Sequence, residues 1–237
     1  MKSINKKKIV YVAISADIIH HGHINILKKA ARYGNVIVGL LNDSAISSYK
    51  KLPLLEFNQR KEIIKSISYV YRVVEQKTLD YEKNLNKYKP DFVVHGDDWK
   101  TGFLSKQREK VQKILKKWNG TLIEPKYTID VSSKNLVKEI QNVGTTPQAR
   151  INRLRRLINS KEIVRTLQVH DGISALIAEK VNIKSKEKII EFDALWDSSL
   201  TTSTSKGKPD IELVDLSSRI NSVNEVIEVS TKPIIFD

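Results

Sequence analysis

Two hydrophobic rhythms alternate along the first half of the chain. Short β-branched runs read as strands, and longer stretches with apolar residues every three or four positions read as helices. Residues 8–14 (KIVYVAI) form the first strand-like run, followed by a helical pattern from Gly22 through Ile24, Ile26, Leu27 and Ala30 to Tyr33, with Gly34 as its stop. The same alternation predicts strands at 36–41, 69–74, 92–95 and 120–123, and helices at 56–66, 79–89, 104–117 and 132–141. Strands that alternate with helices argue for βαβ units on a parallel, Rossmann-like sheet in an α/β fold.

A polar stretch with Gly144 and Pro147 follows, so a boundary is expected at residues 142–148, separating a domain over 1–141 from a segment over 149–237. Beyond it the pattern restarts. Helices are predicted at 149–158, 172–181 and 216–229, strands at 165–169, 192–196 and 233–236, and a Ser/Thr-rich loop at 198–209.

Composition narrows the chemistry. With 40% hydrophobic residues a packed core is attainable, and no run approaches the ~18 apolar residues of a membrane helix. The absence of cysteine excludes disulfides, thiolate metal sites and cysteine nucleophiles. No secretory signal pattern is visible at the N-terminus, and a cytoplasmic protein with no membrane partner is expected. The net charge of +14 comes from lysines scattered end to end. No Arg/aromatic stripe accompanies them, so no nucleic-acid partner is expected, and anionic small substrates account for part of the excess.

The segment with most chemistry is Asp17-Ile18-Ile19-His20-His21-Gly22-His23, between the first strand and the first helix. The first βα crevice of a parallel sheet is where nucleotides bind, and a helix N-terminus offers unpaired N–H groups to phosphate. Gly22 lets the backbone approach closely, and His20 and His23 can hydrogen-bond phosphate oxygens that gain charge during transfer. A metal site has less support, because Asp17 is the one further ligand type nearby.

His-x-Gly-His after a first strand resembles the signature of the Rossmann-like nucleotidyltransferase superfamily, in its cytidylyltransferase branch. Further segments match in order: Lys51 ahead of a helix carrying Arg60, then Gly96-Asp97-Asp98-Trp99, then Thr128-Ile129-Asp130-Val131-Ser132-Ser133. Ile14-Ser15-Ala16-Asp17 stands where the family usually has Gly-x-Phe-Asp. The resemblance, over about residues 8–140, implies transfer of CMP from CTP to a small phosphonate or phosphorylated alcohol, with Mg²⁺ and release of pyrophosphate. It implies that His20 and His23 stabilise the transition state, and that Lys51 and Ser132 hold the triphosphate. Ile14, Ser15, Asp17, Gly22, Arg60, Gly96, Asp97, Trp99, Thr128 and Ser133 would line the nucleotide. A homodimer is also implied.

From about Gly144 the chain resembles phosphoenolpyruvate mutase, of the isocitrate-lyase-like superfamily. The resemblance rests on Leu154-Arg155-Arg156-Leu157, His170-Asp171-Gly172, Trp196-Asp197-Ser198-Ser199-Leu200, Gly207-Lys208-Pro209-Asp210 and the closing Lys232 to Asp237. It implies a phosphoryl site at Ser198, Ser199, Leu200 and Asp210, and an Mg²⁺ ligand at Asp237. A (β/α)₈ barrel takes about 250 residues, so three strands are expected to form an incomplete barrel segment without mutase activity. The pairing implies phosphonate biosynthesis, with a 2-hydroxyethylphosphonate-like acceptor. The alternative is a parent mutase with an accessory N-terminal nucleotide-binding domain.

Overall fold

The computed structural model describes residues 8–101, 104–126, 147–184 and 189–237, and every count below is of those residues. They fall into two compact units, Met1–Lys138 and Glu139–Asp237.

The first unit is an α/β layer structure. Its strands are β1 (Ile9–Ile14), β2 (Asn35–Leu41), β3 (Arg72–Gln76), β4 (Phe92–Val94) and β5 (Thr121–Ile123). They form one parallel sheet in the order β3-β2-β1-β4-β5. The order reverses between β1 and β4, which opens a crevice at the carboxyl ends of these strands. Both faces of the sheet are covered, so β1 must be apolar at every position. Val10 and Val12 join one buried cluster with Leu27, Val36, Val38 and Ile64, while Tyr11 and Ala13 join the opposite one with Ile37, Val93 and Trp99. The helices are α1 (His21–Ala31), α2 (Asp43–Ser47), α3 (Phe57–Lys65), α4 (Glu82–Tyr88) and α5 (Ser105–Leu115), with a 3₁₀ turn at Asp97–Trp99.

Two local details depart from the sequence pattern. The third strand begins at Arg72 instead of 69 and runs on to Gln76, because Tyr69 and Val70 pack against the core before pairing starts. Gln76 can be buried because its amide donates to the Thr78 and Asp80 carbonyls and its oxygen accepts from the Tyr11 hydroxyl. The short helix α2 had no periodic signal; Asn42 caps it by accepting from the Ala45 amide at 2.8 Å. The helix expected at 132–141 lies outside the described residues, as does most of the expected linker.

In the second unit, β6 (Thr166–Val169), β9 (Ala194–Asp197) and β10 (Ile234–Phe236) form a parallel sheet in the order β10-β9-β6. Helices α7 (Gly172–Lys180) and α9 (Leu216–Val229) cover one face through Val169, Ala175, Ala178, Leu195 and Val226. Helix α6 (Pro147–Ser160) precedes them. An antiparallel pair, β7 (Asn182–Lys184) with β8 (Ile189–Glu191), was not foreseen. The Ser/Thr-rich stretch expected as a loop contains helix α8 (Ser199–Ser205). Serine and threonine are poor helix formers in isolation, but here tertiary contacts decide. Thr202 and Ser203 are buried, and the Thr202 hydroxyl donates to Asp197 Oδ1 at 3.1 Å.

Gly39, in the middle of β2, is required by a close approach. A Cβ there would lie 1.8 Å from the Tyr11 hydroxyl. That hydroxyl is itself held by Gln76 and by Asn84 at 2.9 Å, so the ring has no room to retreat. Gly39→Ala is therefore expected to cost about 2–3 kcal/mol or more through overpacking. Urea denaturation would read this as a fall in midpoint, and an unchanged midpoint would contradict it.

Candidate active site

The crevice begins where β1 ends. Ser15 and Asp17 flank Ala16, a buried residue in the left-handed region at φ 51°. A non-glycine residue pays on the order of 1–3 kcal/mol for that conformation, and such strain persists where surrounding contacts enforce it. Ala16 is followed within a few residues by the N-terminus of α1, where the two histidines cap the helix reciprocally. His20 is the N-cap, and its Nδ1 accepts from the Gly22 amide at 3.2 Å. His23 Nδ1 accepts from the His20 amide at 3.4 Å. The imidazoles lie 4.1 Å apart, centre to centre, at 50°.

This arrangement sets the chemistry of both rings. A nitrogen that accepts from a backbone N–H carries no proton, so in each neutral ring the proton is on Nε2, away from the helix. Burial holds both histidines below the ordinary imidazole range, reinforced at His20 by His21. At His23, burial, then His20 and Lys50, bring the value down to about 4. At neutral pH the pair offers two neutral N–H donors at a helix N-terminus.

The opposite wall is the segment after α2. Lys50 is half-buried, and its ammonium donates to the Ser15 hydroxyl at 3.0 Å. Burial pulls its pKa down, opposed by Asp17 and assisted by Arg60. Lys50 lies close enough to His23 to lower that ring's pKa. Tyr49 is pushed up to about 12 by burial, offset by a hydrogen bond with Ser15. Lys51 is exposed. Asp17 is buried, and its Oδ1 accepts from the amides of Leu54 (2.7 Å) and Leu55 (3.3 Å). Arg60 has no exposed surface. It donates to the carbonyls of Ser15, Leu41 and Leu55 and pairs with Asp43 at 2.7 Å.

At the end of β4, Gly96 precedes the 3₁₀ turn and the Asp97 amide donates to the Pro125 carbonyl. Trp99 is fully buried. Its ring stacks on His95 at 3.9 Å, and its indole N–H donates to Glu124, which also holds Arg108 at 2.7 and 2.8 Å. His95 Nδ1 sits 2.8 Å from the Gly96 carbonyl.

The structure thus gathers His20, Gly22, His23, Ser15 and Asp17 at one crevice. Ile14 packs against the core beneath them. Arg60 and Trp99 are placed as buried supports. Thr128, Ser132 and Ser133 lie outside the described residues. Lys50 and Tyr49 were not anticipated. Adjacent lysines look alike in sequence, and only the path of the chain after α2 turns the first of them inward.

In the second unit, Ser199, Asp210 and Asp237 converge at the carboxyl end of the sheet. The Ser199 hydroxyl lies 3.2 Å from both Asp210 Oδ2 and Asp237 Oδ2, and its amide lies 3.4 Å from Asp237. Ser198 is buried and Leu200 is exposed. Burial pushes Asp197 up, against the pull of the Thr202 hydroxyl and of Arg219. Among the described residues no group of three or more His, Asp or Glu side chains could hold a metal ion.

The depressed His23 value has a consequence for stability. In the unfolded chain imidazole titrates near 6.5, so between about 6.5 and 4 the unfolded state binds the proton and the folded state does not. The stability present above 6.5 is lost as pH falls through that window, on the order of 2–3 kcal/mol for this group. His23→Asn, which keeps a capping acceptor and removes the titration, is expected to flatten the fall of the urea midpoint over that range. An unchanged slope would count against a buried neutral His23.

Comparison with known proteins accords with this crevice. Residues 15–139 match the cytidylyltransferase-like family, and residues 154–237 match the phosphoenolpyruvate phosphomutase family. Glycerol-3-phosphate cytidylyltransferase of Bacillus subtilis is 33% identical over 110 residues, covering 45% of this chain and 84% of that one. Ethanolamine-phosphate cytidylyltransferase of Arabidopsis thaliana is 32% identical over 95 residues, 38% of this chain, and the match spans only 23% of that protein. The Dictyostelium discoideum enzyme of the same name is 31% identical over 162 residues, 62% of this chain and 44% of that one. With more than half of its length matched from residue 15 onward, and with its paired histidines at the head of the first helix, the chain belongs to the cytidylyltransferase-like family.

Proposed function

We propose that this chain is a cytidylyltransferase that transfers CMP from CTP to a small phosphonate or phosphorylated alcohol, in phosphonate biosynthesis. The reading is carried by one observation: two neutral imidazoles, each fixed by a backbone amide, carry their protons on Nε2 at the N-terminus of α1.

An acceptor oxygen attacks the α-phosphorus of CTP, and the bond to the β-phosphate oxygen breaks as pyrophosphate leaves with the electron pair. The acceptor oxygen is already anionic, so the site needs no strong base. Its task is to position the reactants and balance developing charge. His20 and His23 donate to the oxygens of the phosphorus under attack, and the amides of α1 add their positive end. Lys50 supplies a full positive charge on the facing wall. Mg²⁺, when bound, neutralises the triphosphate and keeps several waters. The donor set here suits that division, since the crevice offers N–H donors and Asp17 is committed to backbone amides. Thr128, Ser132 and Ser133 remain candidates for the triphosphate, and Asp97 for the base. The pairing with a mutase-like segment supports a phosphonate acceptor, and a cytoplasmic homodimer completes the proposal.

A second reading is favoured by Ser199, Asp210 and Asp237. They bring one hydroxyl and two carboxylates together at the carboxyl end of the second sheet, at positions that match the mutase pattern. On that reading the parent protein is a phosphoenolpyruvate mutase, and interconversion of phosphoenolpyruvate and phosphonopyruvate by the intact parent is its test.

Pyrophosphate release with Mg²⁺, measured for CTP and ATP across phosphonates and phosphorylated alcohols, tests the primary reading. Release is expected with CTP and a phosphonate, and His23→Ala is expected to lower kcat/KM by about 10²–10³-fold. No release with any pair, despite CTP binding, would overturn it. In the same assay Lys50→Ala is expected to lose at least about tenfold, and Lys51→Ala much less. The reverse order would return the phosphate contact to Lys51.

A further inference from the structure

At the amino-terminal edge of the sheet in the first unit, opposite the crevice described above, a cleft of about 520 Å³ opens to solvent. That size falls within the ~300–1,000 Å³ range of small-molecule sites. It lies beside the start of β1 at Lys8, the end of α1 at Arg32 and Tyr33, and the approach to β3 at Tyr69 and Tyr71. None of these residues belongs to the machinery assigned to nucleotidyl transfer.

Two features define what the cleft can take. First, it is lined by three tyrosines, of which Tyr71 is 67% and Tyr33 43% exposed, so aromatic surface is left facing solvent. Tyr33 is braced by Phe92, 5.2 Å away between ring centres. Exposed, braced aromatic faces are stacking platforms for planar rings. Second, its charged lining residues are both basic, Lys8 and Arg32, with no acidic side chain among them. The Lys8 ammonium lies over the Phe92 ring, 5.2 Å from its centre. A planar ring for the tyrosines and a phosphate for the two cations meet in one class of molecule.

We infer that this cleft is a second, non-catalytic binding site for a mononucleotide. The reading rests on the cleft alone and does not depend on which reaction the first site performs.

Equilibrium dialysis with labelled CMP and AMP, on the full chain, tests it. A His20→Ala/His23→Ala variant, weakened at the first site, is expected to retain about one equivalent of bound nucleotide. Adding Tyr71→Ala or Arg32→Ala to that variant is expected to weaken the retained binding at least tenfold. Tyr71→Ala alone is expected to leave pyrophosphate release unchanged. Both side chains are exposed, so folding is not at stake, and a thermal melt checks this. Loss of all nucleotide binding in the histidine variant, or retained binding indifferent to both substitutions, would overturn the inference.

Discussion

The guanidinium of Arg60 has no exposed surface, and the geometry of the crevice follows from the need to satisfy it. A buried cation is tolerated only when paired and fully hydrogen-bonded. Arg60 meets that need by reaching the carbonyl of Ser15 at the end of β1, the carbonyl of Leu41 at the end of β2, the carbonyl of Leu55, and the carboxylate of Asp43. One side chain thereby joins the carboxyl edges of two strands to the segment that carries Lys50. Asp17 completes the bracing from the other side by accepting from the Leu54 and Leu55 amides. The left-handed turn at Ala16 lies between these two attachments, with its neighbours fixed from both sides. The second unit also buries an arginine against backbone carbonyls, there with its Nε left without a hydrogen bond. Arg150 is buried and donates to the carbonyls of Ile227, Ser230 and Lys232 where α9 ends.

On that frame the histidines do two jobs with two nitrogens. Nδ1 of each ring satisfies an orphan amide at the head of α1, which selects the tautomer and puts the proton on Nε2. Burial keeps the rings neutral, so the site can be dense in donors without repelling the nearby Lys50 strongly. Its positive charge then comes from one ammonium and from the helix terminus, which suits a substrate that brings several negative charges of its own.

Much of this was legible in the order of residues. The β-branched runs placed β1, β2, β4 and β5 to within a residue or two, and in the central β1, β2 and β4 burial on both faces leaves few polar positions to blur the limits. His20, Gly22 and His23 could be located because three residues in a row of four had to serve one helix end. Tyr69 and Val70 misled the placement of β3, since an apolar residue that packs ahead of a strand looks the same as one inside it. The Ser/Thr run before Pro209 misled as well, because its helix is held by Asp197 and by burial of Thr202, contacts that no local propensity encodes.

The sequence by itself determined the α/β class, the division into two segments with different resemblances, and the histidine pair at the first helix, since periodicity and short motifs are local properties. Tertiary contacts settled which residues line the crevice and which hold the frame. Lys50 and Lys51 are chemically identical neighbours, and Arg60 and Trp99 match a nucleotide-site pattern while lying fully buried. The physical reason is direction: a side chain's role depends on where the backbone turns it, and after α2 that turn is set by Asp17, from the end of β1, and by Arg60, which ties Leu55 to Ser15 and Leu41.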